Sequence, residues 1–215
     1  MQMESGRLDR FLPLSGALFG ILFAIIFLVS GDTPDTDASG ADVISHYEDE
    51  GKVYVLLILL MIAAIVLMLF ASVLRTRLRE AGWETLATTA FGGGICAVVG
   101  LAVFGIFQFA LLDASDLGEE QVAQALNIID NDNFLPAIIG MAIMYLATGW
   151  HCVRSGVLPK WLAWVSIALA VLSVAGPAGF VAFLAFPLWA IVVSVVLYMR
   201  PTRVAAGPTG PTAIA

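Results

Sequence analysis

Charge is missing from most of this chain. Six long runs between Phe11 and Met199 contain no Asp, Glu, Lys or Arg, and each approaches the ~20 apolar residues that cross a bilayer. That absence argues against ion-coupled transport, which places ionisable groups at membrane depth. Catalytic signatures are missing too: there is no HExxH, no GxSxG and no GxxxxGK followed by Ser or Thr. An intramembrane protease needs a buried nucleophile and base, and His151 is the only histidine near an apolar run. No basic footprint for nucleic acid is present. Cysteine is scarce: Cys96 and Cys152 stand alone, without metal-type spacing, and read as packed, reduced thiols towards the cytoplasmic side. No residue is assigned a catalytic, cofactor-binding or metal role, and the chain reads as a non-enzyme.

What remains is apolar. The chain is 60% hydrophobic and 13% charged, against about 45–50% and about 25% in soluble domains. Only helices satisfy their own backbone in lipid one segment at a time. The expected fold is therefore all-α and polytopic, with six transmembrane helices at about residues 11–30, 53–74, 86–112, 134–152, 161–178 and 180–199. Residues 1–200 form one six-helix domain, and residues 201–215, rich in Gly, Pro, Thr and Ala, form a disordered cytoplasmic tail. The first run exceeds the ~7–15 residues of a signal-peptide core and is read as a retained span.

The charge that exists is sorted by sign. Nine of the ten Lys/Arg fall in alternate gaps, at Arg7, Arg10, Arg75, Arg77, Arg79, Arg154, Lys160, Arg200 and Arg203. The intervening gaps hold 13 of the 17 carboxylates, between Asp32 and Glu50 and between Asp113 and Asp132, with Lys52 alone among them. The positive-inside rule then puts both termini in the cytoplasm and the acidic gaps outside a cell (plasma) membrane. Trp83, Trp150, Trp161 and Trp164 fall near the inner helix ends, at headgroup level.

Both acidic gaps predict short outer helices. Ser39-Gly-Ala-Asp42 resembles a capping box and starts a helix that leads into the second span, with Val43, Tyr47 and Tyr54 on one face. Asp116 is placed to cap a helix over residues 120–129, whose stripe Val122, Leu126 and Ile129 rests on the bundle mouth or the lipid interface. Asp35-Thr-Asp37-Ala-Ser39-Gly40 begins like a calcium loop, but His46 stands where the bidentate Glu belongs. Asp130-Asn-Asp132-Asn133 is a second oxygen-rich cluster; it reads as a polar cap before the fourth span, with weak divalent-cation binding by the acidic gaps as the sharper alternative. His46 has a solvated reading and a pH-sensing one.

Within the spans, Gly92, Cys96 and Gly100 recur every four residues, which predicts a small-residue packing face on the third helix. The competing reading is an unwound, cavity-lining stretch. Gln108 is expected to bond a neighbouring helix. Pro187 should kink the sixth span by displacing the Phe183 carbonyl. His151 reads as an interfacial side chain.

The stretch Gly149-Trp-His-Cys-Val-Arg154-Ser155-Gly156-Val157-Leu158-Pro159-Lys160-Trp161-Leu162-Ala163 resembles a broad group of bacterial, chiefly actinobacterial, six-helix integral membrane proteins of unknown function. The resemblance covers roughly residues 11–200 and rests on the Arg-Ser-Gly-x-Leu-Pro turn between helices four and five. It implies the fold and carries over no site residue. Gly156 suits the left-handed residue that closes one helix, and Pro159 the start of the next. The functional expectation is a non-enzymatic envelope or partner-interaction component, whose partners are the bilayer and a second copy or another membrane protein. The alternative is a passive permease or channel for a small neutral or apolar solute.

Overall fold

The computed structural model describes residues 10–200. The expected tail over residues 201–215, together with Arg7 and Arg203, lies outside the described residues. Eight α-helices account for most of the rest: α1 (Ser15–Ser30), α2 (Gly40–Tyr47), α3 (Glu50–Glu80), α4 (Glu84–Leu117), α5 (Glu120–Asp132), α6 (Leu135–Ser155), α7 (Lys160–Ser173) and α8 (Gly179–Met199). Five stretches are long and apolar enough to cross a membrane: Leu12–Ser30, Glu50–Glu80, Glu84–Leu117, Glu120–Ser155 and Gly176–Met199. The fourth of these joins the polar α5 to the apolar α6, and α6 is its spanning part. The outward faces stay apolar, with Ile65, Ile106 and Leu188 each 64% exposed. Water would penalise such a surface and lipid would not, so the chain is an all-α polytopic membrane protein.

The six apolar helices pack as a ring in chain order, α1–α3–α4–α6–α7–α8, with α8 closing onto α1. α2 and α5 lie across the end that carries the acidic gaps. The seam between α4 and α6 is the closest approach. A Cβ on Gly93 would stand 2.7 Å from the Gly140 carbonyl and 2.7 Å from the Met144 amide, and one on Gly100 would stand 2.7 Å from the Ala137 Cα. Small residues let two backbones touch where lipid supplies no hydrophobic drive. Of the expected face Gly100 holds, whereas the other two positions move by one residue, to Gly93 and Ala97. Gly93, Ala97 and Gly100 are buried, whereas Cys96 is exposed and nothing lies within 4 Å of a Cβ at Gly92. Three consecutive glycines supply a small residue at any register, so the pattern did not choose between them. Cys152 is packed as expected; Cys96 is not.

The fifth apolar helix is shorter than expected. α7 has 14 residues, about 21 Å of helix, and ends at Ser173 instead of Ala178. The chain then turns through Gly176 at φ 62° and a 3-10 turn over Gly176–Ala178, where Pro177 removes a backbone donor. α8 follows and continues through Pro187 to Met199.

Turn chemistry at the opposite, basic end follows the sequence. Gly156 is left-handed at φ 70° and donates to the Cys152 carbonyl at 3.0 Å. Pro159 precedes α7 and offers its carbonyl to Leu162 and Ala163. Arg200 adds a guanidinium bond to the Val157 carbonyl at 3.2 Å. Arg154 lies over Trp83 at 4.7 Å and over Trp150 at 5.4 Å. His151 departs from its interfacial reading: it is 1% exposed, with Nδ1 2.9 Å from Ser155 Oγ. Its position four residues before Ser155 aims it into the bundle instead of along its rim.

Candidate functional site

The acidic end is built around a polar face of α5. The residues of α5 that pack inward are Ala123, Asn127 and Asp130, not the apolar stripe: Val122 is 48% and Ile129 50% exposed, and only Leu126 leans on the cap core. Those exposed apolar residues remain available to lipid, the second half of the sequence reading. The inward polar face has a clear use. Asn127 Nδ2 donates to the Asp35 carbonyl at 2.8 Å, Asn131 Nδ2 to the Pro34 carbonyl at 3.1 Å, and Gln124 Nε2 to the Ala38 carbonyl at 3.1 Å. Side-chain amides thereby satisfy a loop that lacks a ladder of its own.

α2 is docked against the same face. Gly40 lies against the Glu120 carbonyl so closely that a Cβ there would collide with it. The glycine of the calcium-like loop is therefore a close-approach residue, and Ser39 is the helix cap, accepting from the Asp42 amide at 3.2 Å. The second capping expectation fails. Asp116 belongs to α4, which ends at left-handed Gly118 (φ 68°) with Glu119 N bonded back to the Ala114 carbonyl, and α5 starts without a side-chain cap. α2 also does not run into α3. The chain breaks after Tyr47, and Asp49 caps α3 through the Lys52 amide at 3.1 Å, which leaves Tyr54 48% exposed while Val43 and Tyr47 are buried. His46 lies edge-on to Tyr47, and burial followed by the charge of Lys52 holds its pKa below the ordinary 6.5. It is therefore neutral at pH 7.

Gln108 ties the cap to the bundle. Its Oε1 accepts from Tyr47 Oη at 3.2 Å, and its Nε2 donates to Asp130 Oδ2 at 2.9 Å. The expected helix–helix bond of Gln108 thus reaches both cap helices. Asp130 is 7% exposed, and its Oδ1 has no partner. Burial pushes its carboxyl up to about 7, with the Gln108 bond acting in the opposite direction. The neighbouring Tyr47 hydroxyl is raised above its usual 10 by burial and by the Asp130 charge.

Beneath this network lies a cavity of about 180 Å³. Its wall is chiefly aromatic. Phe134 stands 5.3 Å from Phe183 and 5.4 Å from Phe180, both edge-on, while Phe23 meets Phe183 at 5.6 Å and Phe104 stacks on Phe134 at 6.5 Å. Ser30, Thr33, Asp130, Asn131 and Asn133 supply the polar part of the wall. Asn133 Nδ2 is also buried without a partner, as are Arg75 Nε, Thr148 Oγ1 and His151 Nε2 away from the cavity. The cavity does not continue to the basic end. Below it Tyr145, Phe186, Phe70, Met144 and Leu67 are completely buried, with Tyr145 Oη bonded to the Ala182 carbonyl at 2.9 Å and Trp189 Nε1 to Ser166 Oγ at 2.8 Å.

The Asp130–Asn133 cluster was visible in the sequence as oxygen-rich, but its burial was not. The overlooked signal is the spacing of Ala123, Asn127 and Asp130, one helical face made of small and polar residues. Among the described residues no group of three His, Cys, Asp or Glu side chains is placed to hold a metal ion. No family model, curated protein or solved structure matches the chain.

Proposed function

We propose that the chain is a multi-pass protein of the cell membrane, with both termini cytoplasmic, that acts by binding a small molecule at its outer face and not by catalysis. The observation that carries this reading is the aromatic cavity under the cap, with Asp130, Asn131 and Asn133 among the residues of its wall. A mostly apolar cavity with a few polar residues in its wall is the usual form of a small-molecule site. The distribution of Lys and Arg supports the orientation, and the Arg-Ser-Gly-x-Leu-Pro turn supports kinship with bacterial six-helix proteins. The permease reading shares this cavity but needs it to continue past Tyr145 and Phe186, both completely buried.

Two measurements test the reading. In a cysteine-free background, cysteine at Thr36 labels with an impermeant thiol reagent in intact cells and cysteine at Glu80 does not; the reverse pattern overturns the orientation. Para-fluorotoluene, observed by fluorine NMR in lipid nanodiscs, binds saturably to the parent and not to Leu101→Phe, which fills the cavity from its wall. Equal binding to both removes the cavity as the site.

A further inference from the structure

We infer that the cavity is loaded sideways from the outer leaflet, through a mouth between Phe27 of α1 and Phe180 of α8, and takes an uncharged, benzene-sized apolar molecule dissolved in the membrane. The inference rests on the binding and orientation readings above and adds the route and the ligand's class.

The mouth follows from the register of the α1–α8 seam. Towards the basic end the two backbones touch. A Cβ on Gly16 would stand 2.9 Å from the Ala190 carbonyl, and one on Gly20 2.5 Å from the Pro187 carbonyl. Further out aromatic rings take over, Phe19 against Phe186 at 5.7 Å and Phe23 against Phe183 at 5.6 Å. Both series step by four residues on α1 and three on α8, so the next ring pair in register is Phe27 with Phe180. That pair is not made. Among the described residues Phe27 meets no other ring, and Phe180 turns to Phe134 at 5.4 Å and Phe183 at 5.9 Å instead. Both belong to the cavity wall, yet Phe27 is 53% and Phe180 39% exposed. The seam is zipped as far as Phe23 and open beyond it.

Depth decides what the mouth faces. α8 has 21 residues, about 31 Å of helix, which matches the ~30 Å hydrocarbon core. Phe180 is its second residue and Phe27 lies three residues before the end of α1, so the opening sits at the outer edge of the hydrocarbon. Above it the cap forms a roof: Asn127 and Asp130 are buried, and Asn127 and Asn131 hold down the loop that follows α1. A mouth on hydrocarbon admits what dissolves there, and a charged solute is costly at that depth. Size narrows the class further. An engineered apolar cavity of about 150 Å³ takes up benzene, so about 180 Å³ accommodates a six-membered ring with one or two further heavy atoms. The edge-on rings of the wall can receive such a planar body without any polar demand. A lipid's own chain fits the position poorly: at this depth the mouth meets upper methylenes, whereas the free chain end lies towards the bilayer centre.

The test is the exchange rate of para-fluorotoluene between its free and bound fluorine resonances in lipid nanodiscs, compared between the parent and single variants of the rim. Opening requires Phe180 to leave Phe134 and Phe183, and two such ring pairs amount to a factor of about ten in rate. Phe180→Ala is therefore expected to speed exchange about tenfold. Phe27→Trp, a larger ring at an exposed position, is expected to slow it, and Thr33→Trp, on the water side of the wall, to leave it unchanged. Unchanged rates in both rim variants overturn the lateral route while leaving the cavity a binding site; slowing by Thr33→Trp then assigns entry to the water side. A bound resonance from lipids fluorinated at the chain terminus, without saturable toluene binding, overturns the free-solute class in favour of an acyl chain. Saturable binding by neither overturns the binding reading itself.

Discussion

The two ends of the helical ring handle their charges in opposite ways. At the basic end the ions stay at the rim. Arg154 lies over two exposed tryptophans, Arg75 pairs with Glu84 at 3.2 Å with both side chains partly exposed, and Arg200 closes the α6–α7 turn. Each contact there is a snorkelling arrangement that costs little and leaves the bundle beneath densely filled. At the acidic end one carboxylate is taken inside, bonded on one oxygen only, beside a cavity. Burying an underpaired carboxylate is expensive. The comparison teaches where to look: each end keeps one charged group with an unpaired buried atom, Asp130 and Arg75, and only the one at the acidic end lies in a cavity wall.

The largest effect should come from filling the dense half. Gly140→Leu drives a side chain into the Ala97 and Gly93 backbone, 2.7 Å from the Ala97 Cα, and no rotamer avoids it. A loss of more than about 3 kcal/mol is expected, seen as failure to purify a monodisperse protein. Leu101→Phe in the cavity half should change the unfolding free energy by less than about 1 kcal/mol, because the added ring has space. Similar losses from both would erase the distinction between a filled half and an open one.

Next comes the buried carboxyl. Asp130 holds its proton more tightly folded than unfolded, about 7 against 3.8, so stability is greatest below about pH 4 and declines as pH rises towards 7. Asp130→Asn keeps the shape and removes the charge. It should gain up to about 4 kcal/mol at pH 8 and little at pH 4, measured by denaturant unfolding at both values. An identical change at both pH values would mean that Asp130 is solvated and not trapped.

The smallest effect belongs to the basic rim. Arg154→Ala should cost about 1 kcal/mol or less, the usual worth of exposed cation–π contacts. A loss of several kcal/mol in the same unfolding measurement would show that the rim charges are held as tightly by the fold as Asp130 is, and the contrast between the ends would fail.

Much of this was readable before any coordinates, because it depends on local composition. Helical class, the sorting of charge between the two ends, the Ser39 cap and the Gly156 turn each follow from residues within a few positions of one another, whereas of the six expected spans five are long enough to cross a membrane. Other expectations failed where two registers fitted the sequence equally. Gly92, Gly93 and Gly94 are all small, so only contact with Gly140 chose Gly93 and turned Cys96 outward. On α5 the apolar stripe lost the inward face to Ala123, Asn127 and Asp130, because the loop at Pro34–Ala38 and Gln108 of α4 needed hydrogen-bond partners.

The primary sequence thus determined that this protein is a bundle of membrane helices with one acidic and one basic end, since hydropathy and helix capping act within a few turns of chain. Only the tertiary structure decided that Asp130 is buried. Its partners come from Gln108, 22 residues earlier, and the Tyr47 hydroxyl that bonds Gln108, 61 residues before it. The aromatic wall is assembled from three helices, α1, α4 and α8, and the α5–α6 turn. Desolvation of a single carboxyl is a property of that assembly, and no stretch of sequence carries it alone.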